Sequence, residues 1–505
     1  MNRLFCRPKS MEETQLTPRF DLARTAAEPP LFVDLDGTLL AVDLLPEAVL
    51  SAAFRQPLKL LRALFVLRHG RAAFKRALAE TVPFDPQHLP LREEVLELIV
   101  AERANGRAIV LASASDSAWV QAVADELGLF DDALSSDGVN NLKGENKLAA
   151  IRDWCRREGF DAFDYAGDSA ADLPIWRAAR RAYLVAPSAA VATQARAQHA
   201  DTNLLCRRSG RLAALARLLR PHQWIKNLLV LVPLVTSHRL LELPLLVAAL
   251  TALVCFCLAA SAVYVLNDLL DLSADRKHPA KRSRPFASGA IPVAWGPPLV
   301  VALGVAGLGL AAWFLPPAFA AALVVYVAAT TLYSAWLKRV AMLDVIVLAC
   351  LYTLRVLAGG LAIGIVASEW LMAFSLFIFV SLAFAKRYTE LARLGDDDGT
   401  TLAHRGYRRD DLSLLEVLGP ASGLVAVLVL ALYIQSKQMQ QLYSQPWALW
   451  LLCPLLLYWI SRVWMKAKRR ELDYDPVVFA ARDMVSLAVA ALAGALLCVA
   501  SWQLS

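Results

Sequence analysis

From Trp224 onward the chain is a succession of apolar runs of about 17–25 residues, the length a helix needs to cross a hydrocarbon layer. Runs of that length read as membrane-spanning helices. Nine spans are expected, near residues 224–241, 244–268, 293–314, 317–336, 342–363, 371–387, 414–434, 446–466 and 483–503. The residues before them read as a soluble protein. Whole-chain averages of 57% hydrophobic and 19% charged residues blur this break. They still exclude a mostly disordered chain, a basic-tailed nucleic-acid binder and a small disulfide scaffold.

Charge sets the expected orientation. Arg276, Lys277, Lys281, Arg282 and Arg284 lie between the second and third spans. Lys338 and Arg339 follow the fourth, Lys386, Arg387, Arg393, Arg405, Arg408 and Arg409 the sixth, and Lys466, Lys468, Arg469 and Arg470 the eighth. The alternate loops hold little beyond Arg239 and Lys437. By the positive-inside rule the rich loops and the soluble half are cytoplasmic, in a bacterial inner (plasma) membrane, and an odd count puts Ser505 outside. Residues 206–220 set five arginines around four leucines, a basic amphipathic helix suited to an anionic leaflet, or else a solvated linker. Eight cysteines form no Cys-x-x-Cys pair and are read as reduced thiols. Arg3, Arg7 and Lys9 precede no apolar core, so no cleaved signal is expected.

In the soluble half, apolar strands at 31–33, 108–112, 163–166 and 182–185 alternate with helical stretches such as 116–127 and 145–158. That alternation predicts a parallel α/β sheet with its ligands beyond the strands' carboxyl ends. Residues 47–104 interrupt it with helical periodicity and are expected to form an inserted cap. The fold class is therefore multidomain: an N-terminal α/β Rossmann-like domain with a helical cap, then an all-α transmembrane bundle of nine helices. The expected boundaries are a tail at 1–28, the soluble domain at 29–200, a linker at 201–221 and the membrane domain at 222–505.

Asp34 and Asp36 bracket Leu35 at a strand end, and Gly37 permits a tight turn. Two close carboxylates suit nucleophile and acid/base roles, or Mg²⁺ binding. Ser113 ends the second strand, Lys147 opens a helix, and Gly167-Asp168-Ser169-Ala170-Ala171-Asp172 ends the third. This ordered set resembles the haloacid dehalogenase superfamily of phosphatases over residues 29–200. The resemblance implies that Asp34 attacks phosphorus, Asp36 serves as acid and base, and Ser113 and Lys147 hold phosphoryl oxygens. It also implies Mg²⁺ held within Asp34, Asp36, Asp168 and Asp172, and a cap that selects substrate.

The second span ends in Asn267-Asp268-Leu269-Leu270-Asp271, with Asp275 four residues on. On one continuing helix all four polar residues share a face. Such a face repels itself near hydrocarbon unless a divalent cation joins it. Lys281, Arg284 and Pro285 follow, two cations able to clamp phosphate oxygens. The pattern resembles the UbiA-type membrane transferases over residues 220–505. It implies Mg²⁺ held by Asn267, Asp268, Asp271 and Asp275 on a departing pyrophosphate. Quinone-pathway members carry a second Asp-x-x-x-Asp pair, but Asp344 has no acidic partner four residues away. Tyr333-Ser334-x-x-Leu337-Lys338-Arg339, Leu343-Asp344-Val345, Ala385-Lys386-Arg387-Tyr388-x-Glu390 and Asp475-Pro476-Val477-Val478-Phe479 resemble the decaprenyl-phosphate phosphoribosyltransferase branch. Substrate contacts are accordingly expected from Lys281, Arg284, Tyr333, Lys338, Arg339, Asp344, Arg355, Lys386, Arg387 and Tyr388. Several of these cations also satisfy the positive-inside rule alone. Arg355 lies about ten residues into its span, where it should meet Asp344 or a substrate phosphate.

The expected function joins both halves in one Mg²⁺-dependent bifunctional enzyme. The membrane half would transfer 5-phosphoribose from phosphoribosyl pyrophosphate to a polyprenyl phosphate. The soluble half would hydrolyse a phosphate monoester, the 5′-phosphate of that product being the natural candidate. The alternative is an aromatic prenyltransferase of quinone or pigment synthesis, with a phosphatase or a non-catalytic sensor domain. The bilayer and the lipid phosphate are the expected partners, with no nucleic acid, and self-association is compatible with the reading.

Overall fold

The computed structural model describes residues 28–208, 210–393, 405–436, 439, 443–472 and 475–501. The expected tail, Cys6, Lys437, Asp473, Tyr474 and Ser505 lie outside them. The chain divides into two compact units. One holds the residues up to Leu45, Gln56–Gln87 and Leu91–Arg208; the other holds Pro46–Arg55, His88–Pro90 and the residues after Arg208.

The first unit is built on a six-stranded parallel sheet. Its strands are β1 (Leu31–Val33), β2 (Ile109–Asp116), β3 (Asp132–Ser136), β4 (Asp164–Gly167), β5 (Ala182–Val185) and β6 (Thr202–Cys206), in the order β3-β2-β1-β4-β5-β6. The four expected strands form the centre, buried on both faces as a parallel sheet requires. The two edge strands were not legible. Asp132-Ala-Leu-Ser-Ser and Thr202-Asn-Leu-Leu-Cys are half exposed and lack a continuous apolar run. Phe32, Trp154, Phe163, Tyr165 and Trp176 fill one side, with Phe32 edge-on to both Trp154 and Phe163. From β1 the chain steps outward through β2 to β3, and from β4 the other way to β6. The order therefore reverses between β1 and β4, where open sheets place a crevice. Between β1 and β2 the chain is helical, at Leu44–Arg55, Pro57–Val66, Arg71–Thr81 and Glu93–Ala104. The last of these packs on β2 and β6, so it belongs to the sheet layer.

In the second unit, eight described helices are long and apolar enough to cross a membrane. They are Leu243–Leu270, Val293–Phe314, Pro317–Ala335, Leu343–Ala362, Glu369–Ala392, Arg409–Gln435, Pro446–Lys468 and Met484–Ser501. The expected first span differs. It is a 3₁₀ helix at Pro221–Leu231 that continues as a short α-helix, Val232–Thr236. Pro221 and Pro233 contribute no N–H, and Lys226 and Asn227 are buried within it. This segment threads against the helix Leu343–Ala362 at Gly359. A Cβ there would overlap the Val230 carbonyl, with its carbon at 2.8 Å. Of the cysteines, the seven described are free thiols, as expected.

The contact at Gly359 yields a test. Gly359→Ala should destabilise the membrane unit by about 1–3 kcal/mol, the usual cost of overpacking. Thermal unfolding in detergent reads this as a lowered midpoint; an unchanged midpoint would contradict the close approach.

Two candidate active sites

The first site lies at the β1/β4 reversal. Asp34 follows β1 and donates its backbone N–H to Ala166 O of β4 (2.9 Å), which fixes its place at the crevice. Gly37 turns the chain with φ +79°, and a Cβ there would strike the Asp168 carboxylate. Asp172 is buried. It accepts hydrogen bonds from the N–H (3.0 Å) and hydroxyl (2.9 Å) of Ser169, and from Tyr165 OH (2.8 Å). Lys147 is buried beside them, donating to Asp34 Oδ1 (2.8 Å) and Tyr165 OH (2.9 Å), with Asp172 Oδ1 at 3.7 Å. Carboxylate oxygens of Asp34, Asp168 and Asp172 lie within 4.8 Å of one another.

Charge crowding explains the proton affinities. Burial pushes the Asp34 carboxyl up to about 7 against the pull of Lys147, with Asp172 adding to the rise. Burial, Asp34 and Asp172 push Asp168 up to about 8. Burial and Asp43 push Asp36 up to about 6. Burial alone would lower Lys147, but Asp34 and Asp172 outweigh it and the ammonium is held above its usual range. Three acids with one buried lysine leave a negative excess, and their oxygen-only donor set fits Mg²⁺.

Two of the expected site residues stand apart from that group. The Asp36 side chain is not in the three-carboxylate group. It turns toward Leu44 N–H (2.9 Å) and the hydroxyls of Ser115 (2.5 Å) and Ser113 (3.4 Å). Ser113 is fully buried behind it, because β2 runs on past an irregularity to Asp116 and brings Ser115 to the cavity wall instead. The cavity, about 500 Å³, is lined by these carboxylates and Lys147, and by Lys75, Arg71, Lys143 and Asn141. Lys75 is buried and donates to Asn141 Oδ1 (3.0 Å). Sequence reasoning missed Ser115, Tyr165 and Lys75. A tyrosine inside a buried strand was the available signal, because its hydroxyl needs a partner.

The second site gathers at the end of the helix Leu243–Leu270. The helix is interrupted by a one-residue turn at Asp271 and resumes as Leu272–Lys277, while Asp271 N–H still donates to Asn267 O (2.9 Å) and Asp275 N–H to Asp271 O (2.8 Å). Arg284 bridges the break, donating to Asp275 Oδ2 (2.6 Å) and Asp268 Oδ1 (3.2 Å). Arg220 also donates to Asp268 Oδ1 (2.5 Å), and Lys338 Nζ lies 3.6 Å from Asp271 Oδ2. Burial raises the Asp275 carboxyl against the opposing pull of Arg284. Asn267 Oδ1 and Asp268 Oδ2 are buried with no hydrogen-bond partner among the described residues. Oxygens left bare in this way fit a hard divalent cation. Lys281 and Arg339 are exposed.

Asp344 does not meet Arg355. Its two oxygens accept from Arg387 Nε and from Tyr407 OH (2.5 Å), and Arg387 also pairs with Glu390 and donates to Tyr333 OH (2.9 Å). Arg355 has no carboxylate partner among the described residues. It donates to Asn227 Oδ1 (3.0 Å), Tyr326 OH (2.8 Å) and Leu351 O (2.7 Å), and lies over the rings of Tyr326 and Tyr352. Tyr388 is a core residue, edge-on to Trp464. Lys386 lies 3.5 Å from Asp475, which also binds Lys226 and caps the helix Pro476–Ala480 through Val477 and Val478 N–H. Burial would raise the Asp475 carboxyl, but Lys386 and Lys226 hold it well below the usual range. Arg220, Lys226, Asn227, Tyr326 and Tyr407 were missed. Lys226-Asn227 inside an apolar run was the signal available for two of them.

Comparison with known proteins gives a family for each unit. A family model described as the UbiA prenyltransferase family matches residues 230–487, and one for haloacid dehalogenase-like hydrolases matches residues 31–177. The chain is 38% identical over 467 residues to the uncharacterized protein y4nM of Sinorhizobium fredii, covering 92% of this chain and 89% of that one. It is 37% identical over 274 residues to nodulation protein NoeC of Azorhizobium caulinodans, covering 53% and 87%. It is 40% identical over 184 residues to decaprenyl-phosphate phosphoribosyltransferase of Mycobacterium tuberculosis, covering 36% of this chain and 61% of that protein.

Proton affinity predicts how the first site answers to metal. In the metal-free protein the raised carboxyls favour the folded state at low pH. That advantage is lost as pH rises from about 4 through about 8, as these acids are forced to ionise together. Mg²⁺ relieves the repulsion, so its rise in unfolding midpoint should be larger at pH 8 than at pH 6, and much smaller in Asp168→Asn. A pH-independent Mg²⁺ effect would contradict the arrangement.

Proposed function

Because the chain belongs to the UbiA prenyltransferase family and carries a haloacid dehalogenase-like hydrolase domain at its N-terminus, we propose that it is a bifunctional, Mg²⁺-dependent enzyme of lipid-linked ribose synthesis. The membrane half transfers 5-phosphoribose from phosphoribosyl pyrophosphate to a polyprenyl phosphate. The soluble half removes the 5′-phosphate from the lipid-linked product. The protein is multi-pass, and we place it in the inner (plasma) membrane with the hydrolase domain on the cytoplasmic side.

One observation carries the choice of transferase substrate: both oxygens of Asp344 already bond Arg387 and Tyr407, and the Arg387 guanidinium beside it opposes a second cation there. The cations fit phosphate-rich substrates. Lys226 and Lys386 share the single carboxylate of Asp475, which leaves a positive excess for an anion. Asn267, Asp268, Asp271 and Asp275 would hold Mg²⁺. Bound there, the ion would offset charge on the pyrophosphate as it leaves. Arg220 and Arg284 hold Asp268 and Asp275 in place. An oxygen of the lipid phosphate forms the new bond to the anomeric carbon while the carbon–pyrophosphate bond breaks. The lipid phosphate needs no general base, because its second pKa is about 6.

In the hydrolase, Asp34, Asp168 and Asp172 would hold Mg²⁺, which would neutralise charge on the phosphoryl group. Asp34 attacks phosphorus and the bond to the ester oxygen breaks. Asp36, its carboxyl pushed up to about 6, supplies the leaving oxygen with its proton, then takes a proton from the water that attacks phosphorus as the Asp34–phosphorus bond breaks and inorganic phosphate leaves. Lys147 keeps the Asp34 oxygen aimed, and Ser115 offers a hydroxyl at the cavity wall.

Purified protein should release pyrophosphate from phosphoribosyl pyrophosphate with polyprenyl phosphate, and not from a prenyl diphosphate with 4-hydroxybenzoate; the reverse would overturn the transferase reading. Asp268→Asn should abolish that release and leave phosphatase turnover intact. Asp34→Asn should lower phosphatase turnover by about three orders of magnitude or more and leave transfer intact. Unchanged turnover in Asp34→Asn would instead support a sensor role.

A further inference from the structure

Residues 56–73 of the first unit contain Lys59, Arg62, Arg68, Arg71 and His69, and no acidic residue. Within them the helix Pro57–Val66 contributes only Ala63 to the protein interior. Leu58, Leu61 and Phe65, spaced i, i+3 and i+7, share one face and are exposed by 73%, 55% and 72%. Leu64 beside them and Leu67 in the following 3₁₀ turn are each exposed by 45%. A soluble surface rarely carries so many adjacent large apolar side chains without a partner.

Three observations identify the partner. The face is flanked by cations alone, which suits an anionic surface. The same chain carries eight apolar helices of membrane-crossing length, so this domain works within reach of lipid. The apolar strip also runs into the hydrolase cavity, because Leu67, Arg71 and Phe74 line it together with the catalytic carboxylates. Arg71 and Lys143, both exposed at that wall, have no carboxylate partner among the described residues.

We propose that the helix Pro57–Val66 docks its Leu58–Leu61–Phe65 face into the anionic membrane interface and so admits lipid-anchored phosphate esters to the hydrolase cavity. The inference rests on the hydrolase reading above and gives its lipid-linked substrate a route to the cavity. The phosphate reaches Asp34 while the chain that anchors it stays in the bilayer beside Leu67. Arg71 and Lys143 meet the substrate's second anionic group or the surrounding headgroups.

The test places a benzophenone amino acid at position 61 or 65 of the full-length protein, in nanodiscs of phosphatidylcholine with about one quarter phosphatidylglycerol. Illumination should give lipid adducts at both positions and none at exposed position 121. Adducts between protein copies, or no adduct above that control, would overturn the proposal. The double variant Leu61→Glu, Phe65→Glu should raise KM for the lipid-linked phosphoribose about tenfold or more. Turnover of p-nitrophenyl phosphate in the same preparation should be unchanged. An equal loss on both substrates would indicate a structural defect and count against docking. Lipid adducts without hydrolysis of the phosphoribosyl lipid would uphold docking and sink only the choice of lipid.

Discussion

A carboxylate withdrawn from water costs several kcal/mol unless positive charge meets it, and in both units this cost decides which elements must come together. Lys147 reaches Asp34 after β1 and Asp172 after β4. Arg284 reaches Asp268 and Asp275 across a helix break. Arg387 reaches Asp344 on one helix and Glu390 on its own. Each cation ties chain segments that hydrophobic burial alone would leave free to slide. Removing one partner of such a pair strands the other in low dielectric, so these ties specify position.

The balance of charge separates the clusters by purpose. Around Asp344 the acids are matched and their oxygens taken up, which suits a structural clamp between helices. Around Asp34 three carboxylates face one buried lysine, and the acids compensate by holding protons. Beside Asp268, buried oxygens remain bare even though two arginines approach. Unfinished electrostatics at the second and third clusters is what a metal and a phosphate substrate would complete. At Asp475 the imbalance runs the other way, with two lysines on one carboxylate.

These imbalances bear on a two-step reaction. A transferase that leaves a phosphate on its product and a hydrolase that accepts a lipid-anchored phosphate need no free intermediate in water. On the proposed function, tethering by one chain would raise the local concentration of that product at the second site. The exposed apolar face of the helix Pro57–Val66, on the docking proposed above, would let the hydrolase work at the lipid surface.

Much was legible without coordinates. Apolar runs of bilayer-crossing length read as helices in lipid, and the alternation of strands and helices with Asp34 and Asp168 at strand ends argues for a parallel sheet with a crevice. Local chemistry identified the acids because carboxylates near hydrocarbon, or paired two apart, are expensive wherever they occur. Partners were not legible. Arg355 was expected to meet Asp344 or a substrate phosphate; Asp344 does not reach it, and Asn227 and Tyr326 meet it from segments 128 and 29 residues away. In the first apolar run Pro221, Pro233 and Lys226-Asn227 were readable, but that they would shorten it to a 3₁₀ and α segment with Lys226 and Asn227 buried was not. The break at Asp271, the extension of β2 to Ser115 and the closing of Asp344 by Arg387 and Tyr407 also waited for the fold. Residue type sets what a side chain costs to bury; only the packed chain decides which distant group lowers that cost.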